Sequence, residues 1–294
     1  MHKHFLVTIS NDVNNLYGIQ FVCSFFKKIS QHQITLLHIS RLDGTEMEKS
    51  LTEMWIHPDD RVRGKLTIGA KRSIDKATAL FNESRMSIEQ MVTKTVAERY
   101  GKVKDILTEG STGLYDAIVL GRRASYSLQW IFERPADEIP LAMIKDSSFT
   151  TPLWICPEPG PGRRNVLVCV DGSENAYRAV DHTGFILSKQ DQHSIDLFHV
   201  ESGIGMDPEE VFGRATAILH DHKISNERIN TKFRWGFTVP GAIITEINRG
   251  GYGAVALGLH GHDRGGVLKD FNLAGGTTSK LITRLEKTSI WCCP

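Results

Sequence analysis

YDAIVLG at residues 115–121 and YGAVALG at residues 252–258 are two versions of one apolar run, 137 positions apart. The same offset relates TPLWICP (151–157) to TSIWCCP (288–294). Nearer the start, LVTIS (6–10) matches LVCVD (167–171) and TLLHI (35–39) matches DLFHV (196–200), both offset by 161. Four matches in one order at two constant offsets describe an internal duplication, and a repeat governs the fold before any local reading does. The offset falls by 24 between residues 40 and 115, so the first copy is longer in its middle. The Pro/Gly-rich stretch 157–162 lies between the copies and reads as a linker. Domains are therefore expected at 1–157 and 163–294.

The matched runs are short, rich in Val, Ile, Leu and Phe, and lack strict alternation. Such runs suit strands buried on both faces, as in a parallel sheet. In the second copy they fall at 166–170, 195–200 and 253–258; in the first, strands are expected near 5–9, 34–39, 91–97, 117–120 and 152–156. Helical patterns separate them. Ser173 can cap a helix whose inward face is Ala176, Val180, Ile186 and Leu187, with Glu174 at its positive end. Residues 242–249 place Ile243, Ile244 and Ile247 on one face, and residues 277–286 do the same with Leu281, Ile282 and Leu285. Strand and helix in alternation predict an α/β protein of two repeated doubly wound domains, each a five-stranded parallel sheet with helices on both faces. The extra segment of the first copy, roughly 43–90, is charged and mostly helical in pattern.

Composition narrows the function. A net charge of +1 gives no support for a nucleic-acid or acidic-membrane partner. No run of 18 apolar residues exists, so no membrane span is expected. The start, MHKHFLV, lacks the pattern of a signal peptide, and the expected compartment is the cytoplasm. Five cysteines without a C-x-x-C pair read as small buried hydrophobes, and Cys292 and Cys293 should point to opposite sides of a strand.

In open α/β sheets, ligands bind beyond the carboxyl ends of the strands. In the second copy those ends carry Asp171-Gly172-Ser173, His199-Val200, and Gly258-Leu259-His260-Gly261 running on to Gly266. Then come Gly275-Gly276-Thr277-Thr278, opening the last helix. Free N–H groups, hydroxyls and the helix dipole there make a phosphate site, with Arg264 and Lys269 as nearby cations. Asp171 suits a sugar hydroxyl or a base N–H; the alternative is that it only initiates a turn before Ser173. His199, inside an apolar strand, reads as a core histidine, and His220 and His222 as surface helix residues. His260 and His262 have no third ligand at convincing spacing, so no metal site is expected.

The segments VCVDGSENAYRAV (168–180), LFHVE (197–201), ALGLHG (256–261) and GGTTSKLI (275–282) resemble the universal stress protein family, and the resemblance extends over both copies. It implies an adenine-nucleotide alpha-hydrolase-like fold, repeated in tandem. One branch of that family binds ATP through G-x-x-G, about nine residues, then Gly followed by Ser or Thr. The resemblance implies that Asp171 and Val200 line an adenosine pocket, that Gly258, Gly261, Gly275, Gly276, Thr277 and Thr278 hold phosphates, and that His260 lines the pocket. The implied ligand is ATP or a related adenine nucleotide, with or without magnesium.

This chain departs from that pattern. Fourteen residues separate Gly261 from Gly276, whereas nine separate Gly266 from Gly276, so the loop carries an insertion around 262–266. The first copy departs further: it reads Ser10-Asn11-Asp12 at the first turn, Gly121-Arg122-Arg123-Ala124 at the loop, and Arg134-Pro135-Ala136-Asp137-Glu138 before its last helix. Acids at a helix start repel phosphate. The first copy is expected not to bind ATP, while Arg122 and Arg123 remain candidates for another anion.

The leading expectation is a stress-related regulatory protein binding a nucleotide in its second domain, with no catalytic residue assigned. The alternatives are a scaffold or partner-binding protein, and a slow nucleotide hydrolase using His260 or Asp263 to orient water. In single-domain relatives two subunits pair through their last strands. The resemblance thus implies an intramolecular pseudo-dimer through 152–156 and 289–293, with a homodimer also open.

Overall fold

In the computed structural model, ten strands form one sheet in the order β3-β2-β1-β4-β5-β10-β9-β6-β7-β8. The structure describes residues 2–41, 66–122, 138–145, 149–201, 207–236, 238–259 and 276–294. The first half runs β1 (His4–Thr8), α1 (Tyr17–Phe25), β2 (Gln33–Ser40), α2 (Ile68–Glu83), β3 (Met91–Ala97), α3 (Lys102–Thr112), β4 (Ala117–Gly121), α4 (Glu138–Lys145) and β5 (Leu153–Cys156). The second runs β6 (Val166–Cys169), α5 (Glu174–Leu187), β7 (Ile195–Glu201), α6 (Pro208–Asp221), β8 (Ile229–Trp235), α7 (Val239–Gly250), β9 (Ala254–Gly258), α8 (Gly276–Arg284) and β10 (Ser289–Cys293).

Each half is wound the same way. Its first strand lies in the middle, the next two extend to one edge, and the last two return on the other side. The strand pairs within each half are parallel. Strand residues alternate between two cores, which is why the runs are apolar throughout. Phe5, Val7, Trp291 and Cys293 enter the core under α1, α2, α5 and α6. Leu6, Ile290 and Cys292 enter the core under α3, α4, α7 and α8. Cys292 and Cys293 therefore do point to opposite faces.

Local chemistry sets the helix ends. Ser173 Oγ accepts from Ala176 N–H at 3.2 Å and starts α5. Gly251, at φ 61°, ends α7 with its N–H on Ile247 O. Ala176, Val180, Ile186 and Leu187 of α5 are all buried, as are Leu281, Ile282 and Leu285 at α8.

The two halves meet through β5 and β10, which pair antiparallel with Trp154 opposite Trp291. The two indoles stack at 4.2 Å with 7° between planes. Such stacking is worth about 1 kcal/mol beyond burial. Trp154 Nε1 donates to His182 Nε2 at 3.0 Å, and Phe25 stacks on His193 at 4.2 Å. On the opposite face, buried Arg122 donates to Leu285 O at 2.5 Å. The sequence offered Arg122 and Arg123 as candidates for an anion; Arg122 is buried and bridges the two halves, and Arg123 lies outside the described residues.

Candidate functional site

A ligand crevice opens in a doubly wound sheet where chain direction reverses, at the carboxyl edge. In the second half that point lies between β6 and β9: β6 leads outward to β7, while β9 precedes β10 on the other side. Asp171 follows β6, Val200 lies near the end of β7, and Gly258 ends β9. The β9–α8–β10 crossover places Gly276, Thr277 and Thr278, the first turn of α8, at the same edge. Six of the nine expected site residues thus share one edge. His260, Gly261 and Gly275 lie outside the described residues, as do Arg264 and Lys269.

Asp171 is anchored locally. Its Oδ1 accepts from Ser173 N–H at 3.0 Å and from Ser173 Oγ at 2.6 Å. Gly172 between them adopts φ 83°, a left-handed conformation that favours glycine. The Asp-Gly-Ser turn is therefore a self-supporting helix entry that holds the carboxylate at the carboxyl edge, just past β6.

The glycines divide by surroundings. A Cβ on Gly258 would meet Asn175 C at 2.5 Å, Asn175 O at 2.7 Å and Ala176 N at 2.8 Å. Gly258 lets the end of β9 lie against the first turn of α5. Its counterpart Gly121 does the same in the first half, where a Cβ would meet Gly18 N at 3.2 Å. A Cβ on Gly276 meets nothing within 4 Å. Gly258 is thus needed for packing, whereas Gly276 sits exposed at the opening turn of α8. Thr278 is buried beneath it and Thr277 half-buried.

Two histidines mark the repeat. His199 Nδ1 bonds Val170 O at 2.8 Å; His38, at the equivalent place, bonds Ile9 O at 3.1 Å. Each ring thus ties its second strand to the end of its first. Both are buried, and both Nε2 atoms lack a hydrogen-bond partner among the described residues. His199 Nε2 lies 3.7 Å from Glu201 Oε2. Burial pushes the His38 imidazole below its ordinary range.

The outer edge of the second half carries a network that the sequence reading missed. Lys232 on β8 bonds Glu246 at 2.8 Å, Tyr252 Oη at 2.8 Å and Asp196 at 2.9 Å. Burial opposes the Lys232 charge, but these three bonds outweigh it and hold its pKa above the ordinary value. The first half repeats the core of this arrangement, with Lys94 at 2.7 Å and Tyr115 Oη at 3.0 Å from Glu109. The spacing of Lys94, Glu109 and Tyr115 against Lys232, Glu246 and Tyr252 was the available signal. Beside Lys232 lies an open cleft of about 630 Å³, lined by Phe233, Arg234, Trp235, Glu246, Arg249 and Gly250 as well.

No family model matches the chain, and no curated protein matches it. Solved structures do. A universal stress protein from Archaeoglobus fulgidus DSM 4304 superposes with TM-score 0.60 at 16% identity, covering 99% of this chain and 95% of its own. A functionally unknown protein from Pseudomonas aeruginosa PAO1 gives 0.55 at 13% identity, covering 99% and 92%. A candidate universal stress protein from Pseudomonas aeruginosa UCBPP-PA14 gives 0.53 at 14%, covering 99% and 93%. Coverage on both sides is nearly complete, so the likeness is one of the whole two-half fold.

Proposed function

We propose that this chain, which has the fold of universal stress proteins over its full length, is a regulatory protein that binds ATP or a related adenine nucleotide in its second half. The observation that carries this reading is the first turn of α8, opening on the exposed Gly276, at the carboxyl edge beside the β6/β9 switch point. A helix start offers N–H groups and a positive dipole end to phosphate. Gly276, Thr277 and Thr278 take the phosphates, together with Gly261 and Gly275. Asp171, Val200 and His260 face the nucleoside. Gly258 contributes by bringing α5 close to β9. Magnesium, when bound with the nucleotide, would neutralise phosphate charge. No helix among the described residues is long and apolar enough to cross a membrane; the cytoplasm is the compartment that fits a nucleotide-responsive protein of this kind.

Equilibrium binding of labelled ATP, ADP and AMP, with and without magnesium, tests the proposal. One nucleotide per chain is expected. Gly276→Val, placed where a side chain meets no neighbour, should weaken binding by roughly tenfold or more by covering the amides of the turn. Saturable binding absent up to millimolar ATP would sink the proposal.

A second reading is a partner-binding module without nucleotide. It is favoured by the bonds that commit Asp171 Oδ1 to Ser173 and by the packing role of Gly258. It predicts that no nucleotide copurifies with the native protein, as mass spectrometry would show.

A further inference from the structure

β8 closes one end of the ten-stranded sheet and pairs only with β7 among the described residues. Gly236 N–H donates to Glu201 O on β7 at 3.1 Å. Backbone groups of a parallel strand alternate sides with period two. Residues 230, 232 and 234 therefore face β7, and Thr231, Phe233 and Trp235 turn their N–H and C=O groups to the open edge. An exposed edge is a template for another strand.

The side chains along this edge separate into two chemistries. Lys232 and Arg234 lie on the α7 side, where both approach Glu246. Phe233 lies on the other side, stacked at 5.9 Å on His199, and packs edge-on against Trp235 at 5.8 Å. Trp235 is 73% exposed and Phe233 40%. On the α7 side, Lys232, Arg234 and Arg249 face two acids, Asp196 and Glu246. Arg249 is exposed and has no ion-pair partner among the described residues.

The opposite edge shows what the fold itself requires. Pairing of Leu37 with Lys94 and of Phe198 with Lys232 makes the two lysines equivalent. The lysine–glutamate–tyrosine contact occurs at both edges. Thr95, Val96 and Ala97 of β3 then stand where β8 has Phe233, Arg234 and Trp235. The aromatic pair and the arginine belong to β8 alone and are not needed to build the edge.

We infer that the open edge of β8 docks an extended acidic polypeptide segment as an additional strand. Its backbone pairs with Thr231, Phe233 and Trp235. Its acidic side chains face Arg234 and Arg249 in the cleft, and its apolar side chains face Phe233 and Trp235. Charge decides against a second copy of this chain as the occupant. Neither β3 nor β8 contains an acidic residue, so neither edge strand of another copy would bring an acid to Arg234 and Arg249.

The test uses the full chain and labelled peptides of about ten residues, read by fluorescence anisotropy. One peptide alternates Glu and Val, one alternates Lys and Val, and one is the Glu/Val peptide with two central prolines. The Glu/Val peptide should bind saturably, and the other two roughly tenfold more weakly or worse. Trp235→Ala and Arg249→Glu, both at exposed positions, should each weaken binding at least fivefold with the unfolding midpoint unchanged. Hydrogen exchange at Thr231, Phe233 and Trp235 should slow when the peptide is bound. Equal binding of the Glu and Lys peptides, binding indifferent to both substitutions, or protection located elsewhere would overturn the inference. So would self-association of the chain that the same substitutions abolish, which would assign the edge to a second copy.

Discussion

The two halves enter their first helix differently. In the second half only residues 170–173 separate β6 from α5, and Ser173 caps the helix. In the first half residues 9–16 separate β1 from α1, and no side chain caps the helix at Leu16. The longer turn is fastened sideways. Asn11 Oδ1 accepts from Thr67 Oγ1 at 2.7 Å, and Lys76 Nζ donates to Val13 O at 3.2 Å. A Cβ on Gly69 would lie 2.8 Å from Asn11 O, so α2 presses onto the turn. One topology thus gives two different mouths. The second half keeps a short turn with Gly172 at positive φ and a carboxylate at the carboxyl edge; the first ties its turn down with α2.

The seam tests how far the halves depend on each other, and it carries the largest expected effect. His182 accepts from Trp154 across the seam, so its Nε2 must be unprotonated. Burial, with Lys3 adding to it, pushes His182 down to about 3. Burial likewise pushes His32 and His193 down to about 4. These folded values lie below the ordinary 6.5, so the unfolded chain binds protons first as pH falls. The stability is fully present above about pH 6.5 and declines toward pH 3 to 4. At 1.36 kcal/mol per unit, His182 alone removes roughly 3 kcal/mol by pH 4. Denaturant unfolding at pH 7 and 4.5 should show the loss. His182→Gln, which keeps an acceptor without titrating in this range, should recover about 2 kcal/mol of it. A pH-independent midpoint would mean that the halves do not rely on this contact.

Next in size is the comparison of packing glycines. Gly258→Ala drives a methyl into the backbone of Asn175 and Ala176 at under 3 Å, while Gly121→Ala meets its neighbours at 3.2 to 3.4 Å. Overpacking against a backbone that cannot move aside costs about 2–3 kcal/mol, and the looser site about 1 kcal/mol or less. Equal losses in unfolding experiments would erase the distinction between the two strand–helix junctions.

The repeat made the fold legible. Strands expected near 5–9, 34–39, 91–97 and 117–120 occur at 4–8, 33–40, 91–97 and 117–121. Buried parallel strands write themselves as apolar runs whatever their neighbours. The unequal turns were not legible. The constant offset of 161 hides an exchange of lengths, because α1 has 9 residues and α5 has 14. The longer turn of the first half, 9–16 against 170–173, offsets its shorter helix, so the spacing between the strands is nearly preserved. The role of Gly258 was also hidden: a glycine facing a helix backbone and a glycine facing a ligand look alike in a sequence. Asp171 was readable both ways, and the bonds to Ser173 give the turn reading a physical basis. The lysine network escaped because its members come from two strands, a helix and a loop that only the fold brings together.

The smallest expected effect addresses that ambiguity directly. Ser173→Ala removes the α5 cap at a cost of about 1 kcal/mol. It also removes the hydroxyl that donates to Asp171 Oδ1 at 2.6 Å, leaving the Ser173 N–H bond in place. If Asp171 contacts the nucleoside, its carboxylate gains accepting capacity, and ATP affinity should rise a few-fold despite the lower stability. Asp171→Asn should then lower affinity in the same assay. Unchanged affinity in both variants would make Asp171 a turn residue only. The second mouth would then differ from the first in shape but not in ligand chemistry, and nucleotide recognition would rest on the first turn of α8.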